Sequence, residues 1–91
     1  MIVRLGEQSF DSVFYDAEVD VLYLSRGKPA PAKETLPSSE GHAIRLNDSG
    51  EIIGITVVNA KWLAERDGQI TVSIPERLET SARDLAPALA A

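Results

Sequence analysis

Three acids stand at alternate positions, Asp16, Glu18 and Asp20, inside the stretch "YDAEVDVLYL" from Tyr15 to Leu24. Carboxylates spaced in this way are what a calcium-binding loop offers. An EF-hand loop also needs a glycine at its sixth position and a glutamate at its twelfth. Counted from Asp16, those places hold Val21 and Gly27. The residues after Asp20 also turn apolar and strand-like, so the calcium reading fails. Turn chemistry fits better. Asp16 can accept backbone N–H groups as the opener of an Asx turn, and Asp20 stands at the return into the next strand. Tyr15 and Tyr23 then lie on the two strands that the turn joins. A small-ligand or metal site, or an enzyme, using Asp16, Glu18 and Asp20 with His42 is the rival reading.

No other chemistry is spelled out. His42 is the only histidine, and a residue preceding a strand is expected at the surface or a sheet edge. With no second histidine there is no histidine-rich zinc pattern. A general base also needs a positioned partner, which the sequence does not reveal. There are no cysteines, which excludes disulfides, thiolate metal sites and cysteine nucleophiles. The serines form no G-x-S-x-G elbow. The glycines form neither a phosphate-binding loop nor a dinucleotide fingerprint. No catalytic residue, metal ligand or cofactor is therefore assigned.

Composition narrows the classes further. A chain of 91 residues is read as one domain, 1–91, which buries roughly 60–65% of its unfolded surface and has little to spare for a deep cavity. Hydrophobic residues make up 44% and charged residues 25%, an ordinary globular mixture. No apolar run reaches the ~20 residues of a membrane span, and "MIVRLGEQSF" lacks the features of a signal peptide. The expectation is a cytoplasmic protein with no membrane partner. The formal net charge of −5 disfavours nucleic acid, which is bound through phosphate neutralisation by Lys and Arg.

These residues must be held by elements that the chain signals in order. Ser12–Asp16 and Val21–Ser25 read as two strands flanking the acidic turn. The stretch 26–41 carries Pro29, Pro31 and Pro37 and reads as a polar loop of about 12–16 residues. In "HAIRLND", Ala43, Arg45 and Asn47 face one way, Ile44 and Leu46 the other. Asp48, Ser49 and Gly50 are turn residues, with Gly50 at positive φ. Glu51–Asn59 is apolar on both faces, as a central strand covered on each side would be. Gly54 within it marks a bulge or the close approach of another group. Asn59 is expected to cap a short helix that ends at Gly68. Trp62 on that helix is expected in the core, with an interface anchor as the other use. "QITVSIP" alternates as a half-buried strand with Ile70, Val72 and Ile74 on one side. The segment 75–91 reads as a helical extension with Leu78, Ala82, Leu85 and Leu89 at helical spacing, capped by Thr80 or Ser81 and kinked or ended by Pro87. Its Ala-rich stripe covers either its own sheet or a second chain. The fold class is thus α+β: a small, mostly antiparallel sheet of about four to five strands, one short helix packed on it and a C-terminal helix.

Two blocks carry a family pattern. "YDAEVDVLYL" resembles the Tyr-Asp-Pro-Glu-Ala-Asp-Ala-Leu-Tyr-Ile signature of the small YuzE-like family, domain of unknown function 2283. "IRLNDSGEIIGITVVNA" resembles that family's second block, a strand, an Asp/Gly turn and a further strand. Tyr15, Asp16, Glu18, Asp20, Leu22 and Tyr23 match the first, and Asp48, Gly50, Gly54, Ile55 and Ala60 the second. The likeness runs from about Phe14 to Leu63, within a family-like core of about 12–67. Ala17 and Val19 replace the family's usual Pro and Ala, and Thr56 replaces an acid. The resemblance implies a compact β-rich fold with one main helix, brings no established activity, and implies an antitoxin-type role as one possibility.

The functional expectation is a non-enzymatic interaction domain. It would self-associate, as a dimer, or bind a small protein, with Trp62 and the Leu78, Ala82, Leu85 and Leu89 stripe as candidate contacts.

Overall fold

A computed structural model of the chain describes residues 1–6, 8–27, 31–73 and 77–90, and in the last group side chains only from Leu85 onward. Ile74, Pro29 and the side chains of Leu78 and Ala82 thus lie outside the described residues. The elements run β1 (Val3–Leu5), β2 (Gln8–Phe10), β3 (Ser12–Asp16), β4 (Val21–Ser25), β5 (Glu34–Pro37), β6 (Ala43–Leu46), β7 (Ile52–Val58), α1 (Ala60–Asp67), β8 (Gln69–Ser73), β9 (Arg77–Ser81) and α2 (Ala82–Leu89).

The protein is α+β, as its pattern predicts. Strands β3-β4-β7-β6-β5 form an antiparallel five-stranded sheet, and β1-β2 and β8-β9 are separate hairpins. The period of two decides which residues meet. Val13, Leu24, Ile55, Ile44 and Leu36 are cross-strand partners in one row that spans all five strands. This row faces the core. The hairpins add Val3, Leu5, Phe10, Ile70 and Val72, and α2 adds Leu85, Ala88 and Leu89 to the same cluster. Among the described residues, the side chains that cover the sheet lie on one face.

β7 is the middle strand, as its apolar run predicts, but it is not covered on both sides. The next row, Phe14–Tyr23–Thr56–Ala43–Pro37, lies on the opposite face and stays open: Phe14 is 62% exposed and Tyr23 41%. Gly54 fulfils both of its expected roles. The pairing shifts register opposite it, between Arg45 and Leu46. The Arg45 side chain also lies across it, so that an added Cβ would sit 2.8 Å from Arg45 Nε and 2.9 Å from Cζ.

Three segments differ from the sequence reading. The Pro-rich stretch is not loop throughout, because β5 forms within it. β5 is an edge strand ending on Pro37, where a missing N–H costs the sheet nothing. Near the N-terminus, where the sequence reading placed no element, β1 and β2 pair as a hairpin. Arg26 pins it to β4: its Nε donates to Ser9 O at 3.0 Å, its Nη2 donates to Gln8 Oε1, and its guanidinium lies 5.3 Å from the centre of the Phe10 ring. Of the segment expected to be a helical extension, the described residues are strand over Arg77–Ser81 and helix over Ala82–Leu89. Leu78 sits on β9 opposite Val72, and the helix starts at Ala82, directly after Ser81, and ends at Leu89, two residues beyond Pro87. The sequence "RLETS" is β-compatible and pairs with β8, so tertiary pairing overrides the helical spacing that runs through it.

Candidate functional site

The acidic turn is built from its first residue. Asp16 Oδ1 accepts the Glu18 N–H at 3.1 Å, the Asx turn expected of it. Residues 17–20 close the hairpin between the last paired residues, Asp16 and Val21. Ala17, Glu18 and Val19 are exposed. Asp20 has φ 56°, a left-handed conformation that Asp and Asn tolerate better than most residues.

Asp20 does more than return the chain to β4. Its Oδ1 accepts the Lys61 N–H at 2.7 Å and its Oδ2 the Trp62 N–H at 3.1 Å. Its backbone carbonyl accepts the Ala60 N–H at 3.0 Å. Three of the four orphan donors at the start of α1 are thus satisfied by a residue forty positions earlier. Tyr15 Oη donates to the same carboxylate at 2.7 Å. Asn59, expected to cap this helix, makes no side-chain cap bond and sits at φ 57°. In that conformation its side chain does not reach back over the first turn, and the Asp20 carboxylate occupies the place. The far end of α1 is as expected, with Gly68 at φ 75° donating to Ala64 O.

The electrostatics follow from this knot. Burial works to push the Asp20 carboxyl up, but the Lys61 N–H, the Tyr15 hydroxyl and the Trp62 N–H outweigh it and hold the group below the usual range. The Tyr15 hydroxyl is pushed up to about 12, first by its bond to Asp20 and then by burial and the nearby acids. With both Asp20 oxygens committed and Asp16 closing its own turn, the three acids do not converge. Among the described residues no group of three or more His, Cys, Asp or Glu side chains is placed to hold a metal ion.

His42 is not at the surface. It is only 2% exposed, and its Nδ1 accepts the Val58 N–H at 3.1 Å. As an acceptor Nδ1 carries no proton, which leaves the ring's proton on Nε2; burial also lowers the pKa of the ring, against the opposing charge of Glu40. A signal for this was present, since His42 extends the inward alternation of Ile44 and Leu46 by one step. Trp62 is likewise displaced from its expected place. It is 54% exposed, because the inward stripe of α1 is Ala60 and Ala64, and Trp62 falls off that line. The Arg66 guanidinium covers its ring at 4.4 Å. Of the C-terminal stripe, Leu85 and Leu89 are buried within the chain's own core.

The open sheet face carries an uncommitted aromatic pair. Phe14 and Tyr23 stack there with ring centroids 5.9 Å apart. Val58 is 38% exposed and pairs with Val21 one row along. Asp16 shares the face of Phe14 by strand alternation, and Glu18 stands in the adjoining turn.

Residues 12–61, more than half of the chain, match the family described as "Protein of unknown function (DUF2283)". The chain belongs to that family. The DUF2283 region contains the five-stranded sheet, the acidic turn and the first two residues of α1, so the Asp20 knot lies inside it except for Trp62, the residue just beyond its end. The β1-β2 hairpin, the β8-β9 hairpin and α2 lie outside it. No curated protein and no solved structure matches the chain. No helix among the described residues is long and apolar enough to cross a membrane.

Proposed function

We propose that the chain is a non-enzymatic interaction domain, and that the open face of its five-stranded sheet docks on a basic surface of a small protein. The observation that carries this reading is the stacked Phe14–Tyr23 pair, exposed on a face that no described element covers. Exposed aromatic side chains in a contiguous apolar patch are what interface centres are made of. The sign of the partner comes from charge. The chain carries −5, and Asp16 and Glu18 border the aromatic pair. A basic partner is steered to such a surface, whereas a second copy brings the same excess of negative charge. An antitoxin-like role, neutralising a small basic toxin, is the narrower form of this proposal.

The experiment compares tagged wild-type protein with the Phe14→Ser/Tyr23→Ser double variant, both recovered from native lysate and sized in solution. A single small basic protein should co-purify with the wild type, release as salt is raised, and rebind the variant at least tenfold more weakly. A wild-type protein that runs as a clean monomer and retains the same proteins as the variant overturns the proposal. A homodimer lost in the variant would assign the face to a second copy instead. The rival reading, a ligand or metal on Asp16, Glu18 and Asp20, lacks a comparable observation, and the Asp20 carboxylate already accepts three hydrogen bonds from Tyr15 and α1.

A further inference from the structure

The open face carries charge at both ends. Asp16 and Glu18 stand at the hairpin end, and Arg45 stands two rows further on. Ser12, Ser25, Gly54, Arg45 and Thr35 are cross-strand partners in that row, on the same face as Phe14 and Tyr23 by strand alternation. Arg45 does not extend into solvent. Its side chain lies across Gly54, where a Cβ would sit 2.9 Å from its Cζ, and the residue is half-buried.

Two other arginines are committed to partners, Arg26 to Ser9 O and Gln8 Oε1 and Arg66 to Asp67. Arg45 has no such partner. Among the described residues no carboxylate pairs with it, and its Nε is buried without a hydrogen bond. A cation drawn partly out of water is ordinarily compensated by acceptors. Nε is sealed against the sheet, so no ligand reaches it. Nη1 and Nη2 are not sealed in this way, and no described residue bonds them. The gap left by the missing Gly54 side chain holds the fork in place, so little freedom is lost when an acceptor binds. Paired N–H donors match the two oxygens of a carboxylate. One guanidinium charge suits a monoanion, and the net charge of −5 opposes a dianion such as phosphate. An open sheet rather than a concave pocket favours a protein surface over a small molecule.

We infer that Arg45, held across Gly54, is a carboxylate-binding site, and that it takes an aspartate or glutamate side chain of the protein docked on this face. The source of the carboxylate rests on the docking reading above; the site itself does not.

The test titrates the full chain, isotope-labelled for NMR, with acetate at constant ionic strength and reads the Nε and Cζ signals of Arg45. Exposed Arg4 is the reference in the same spectra. Arg45 should saturate at about fivefold lower acetate concentration than Arg4, and inorganic phosphate should bind it more weakly than acetate. Gly54→Ala keeps the charge but displaces the fork, so the Arg45 response should fall to that of Arg4. A protein captured by the wild type should rebind Arg45→Gln about tenfold more weakly. Four outcomes overturn the inference: an Arg45 response no stronger than that of Arg4, tighter binding of phosphate, an unchanged response in Gly54→Ala, or a captured protein that binds Arg45→Gln as well as wild type. Saturable acetate binding with no captured protein supports the site and overturns the docking reading alone.

Discussion

Two side chains, Asp20 and His42, concentrate polar work at single positions. Asp20→Ala should lower stability by about 2 kcal/mol in urea unfolding, combining a lost helix cap with alanine placed at positive φ. Asp20→Asn should cost less, because asparagine tolerates that conformation and keeps one acceptor oxygen. The folded-state pKa of Asp20 is depressed, so its contribution is present above its ordinary value of 3.8 and fades as pH falls below it. His42 acts at higher pH. Its folded ring resists protonation, while the unfolded ring takes up a proton near its ordinary 6.5. Stability should therefore fall as pH drops below about 6.5, and a pH series of denaturation midpoints should lose this slope in His42→Gln. Tyr15 gives a third readout. Its phenolate band should appear near 12 and be missing from Tyr15→Phe. The sequence showed Asp16 as a turn opener because an Asx turn is closed locally, two residues on. It could not show Asp20 as a helix cap, since that partner is brought near only by the sheet. His42 was legible in the alternation of its strand and was misread because its residue type outweighed its position.

Turns and strand ends carry the next set of expectations. Ala17 is exposed in the turn, so Ala17→Pro should stabilise by roughly 0.4–1 kcal/mol by restricting the unfolded chain. If it unfolds the domain, the turn geometry is not the one described. Asn59 holds positive φ without a capping bond. Asn59→Gly should thus be neutral to within about 0.5 kcal/mol, while Asn59→Ala should lose about 1 kcal/mol. Gly54→Ala is also informative. The atoms it would displace are the far end of the Arg45 side chain, which can swing toward solvent, so a cost under about 1 kcal/mol is expected in thermal unfolding. The central place of β7 and the bulge near Gly54 were legible because hydrophobicity and glycine placement are local signals. β9 was not, because "RLETS" satisfies a helical spacing as well as a strand, and only its pairing with β8 decides. Trp62 was misplaced for a related reason: two alanines on the adjacent stripe let α1 lie close to its neighbours, and the large ring was left outside.

At the scale of the molecule, one core is assembled from parts of different standing. The DUF2283 region, residues 12–61, provides the sheet, but its inner face is covered by Val3, Leu5 and Phe10 from one flank and Ile70, Val72, Leu85, Ala88 and Leu89 from the other. A fragment of residues 12–67 should therefore fail to melt cooperatively by circular dichroism, and Leu85→Ala in the whole chain should cost about 2–5 kcal/mol. The sequence pattern supports the fold class because it is a sum over many strands, while the one-sided covering depends on where the ends of the chain return. The Asp20 knot also has a kinetic meaning. The amide hydrogens of Ala60, Lys61 and Trp62 are held by a residue of the β3-β4 turn, so they cannot reach solvent by fraying of the helix end alone. Their hydrogen exchange should share one opening free energy with the hairpin and respond together to Tyr15→Phe, making a turn and a helix forty residues apart a single cooperative opening unit.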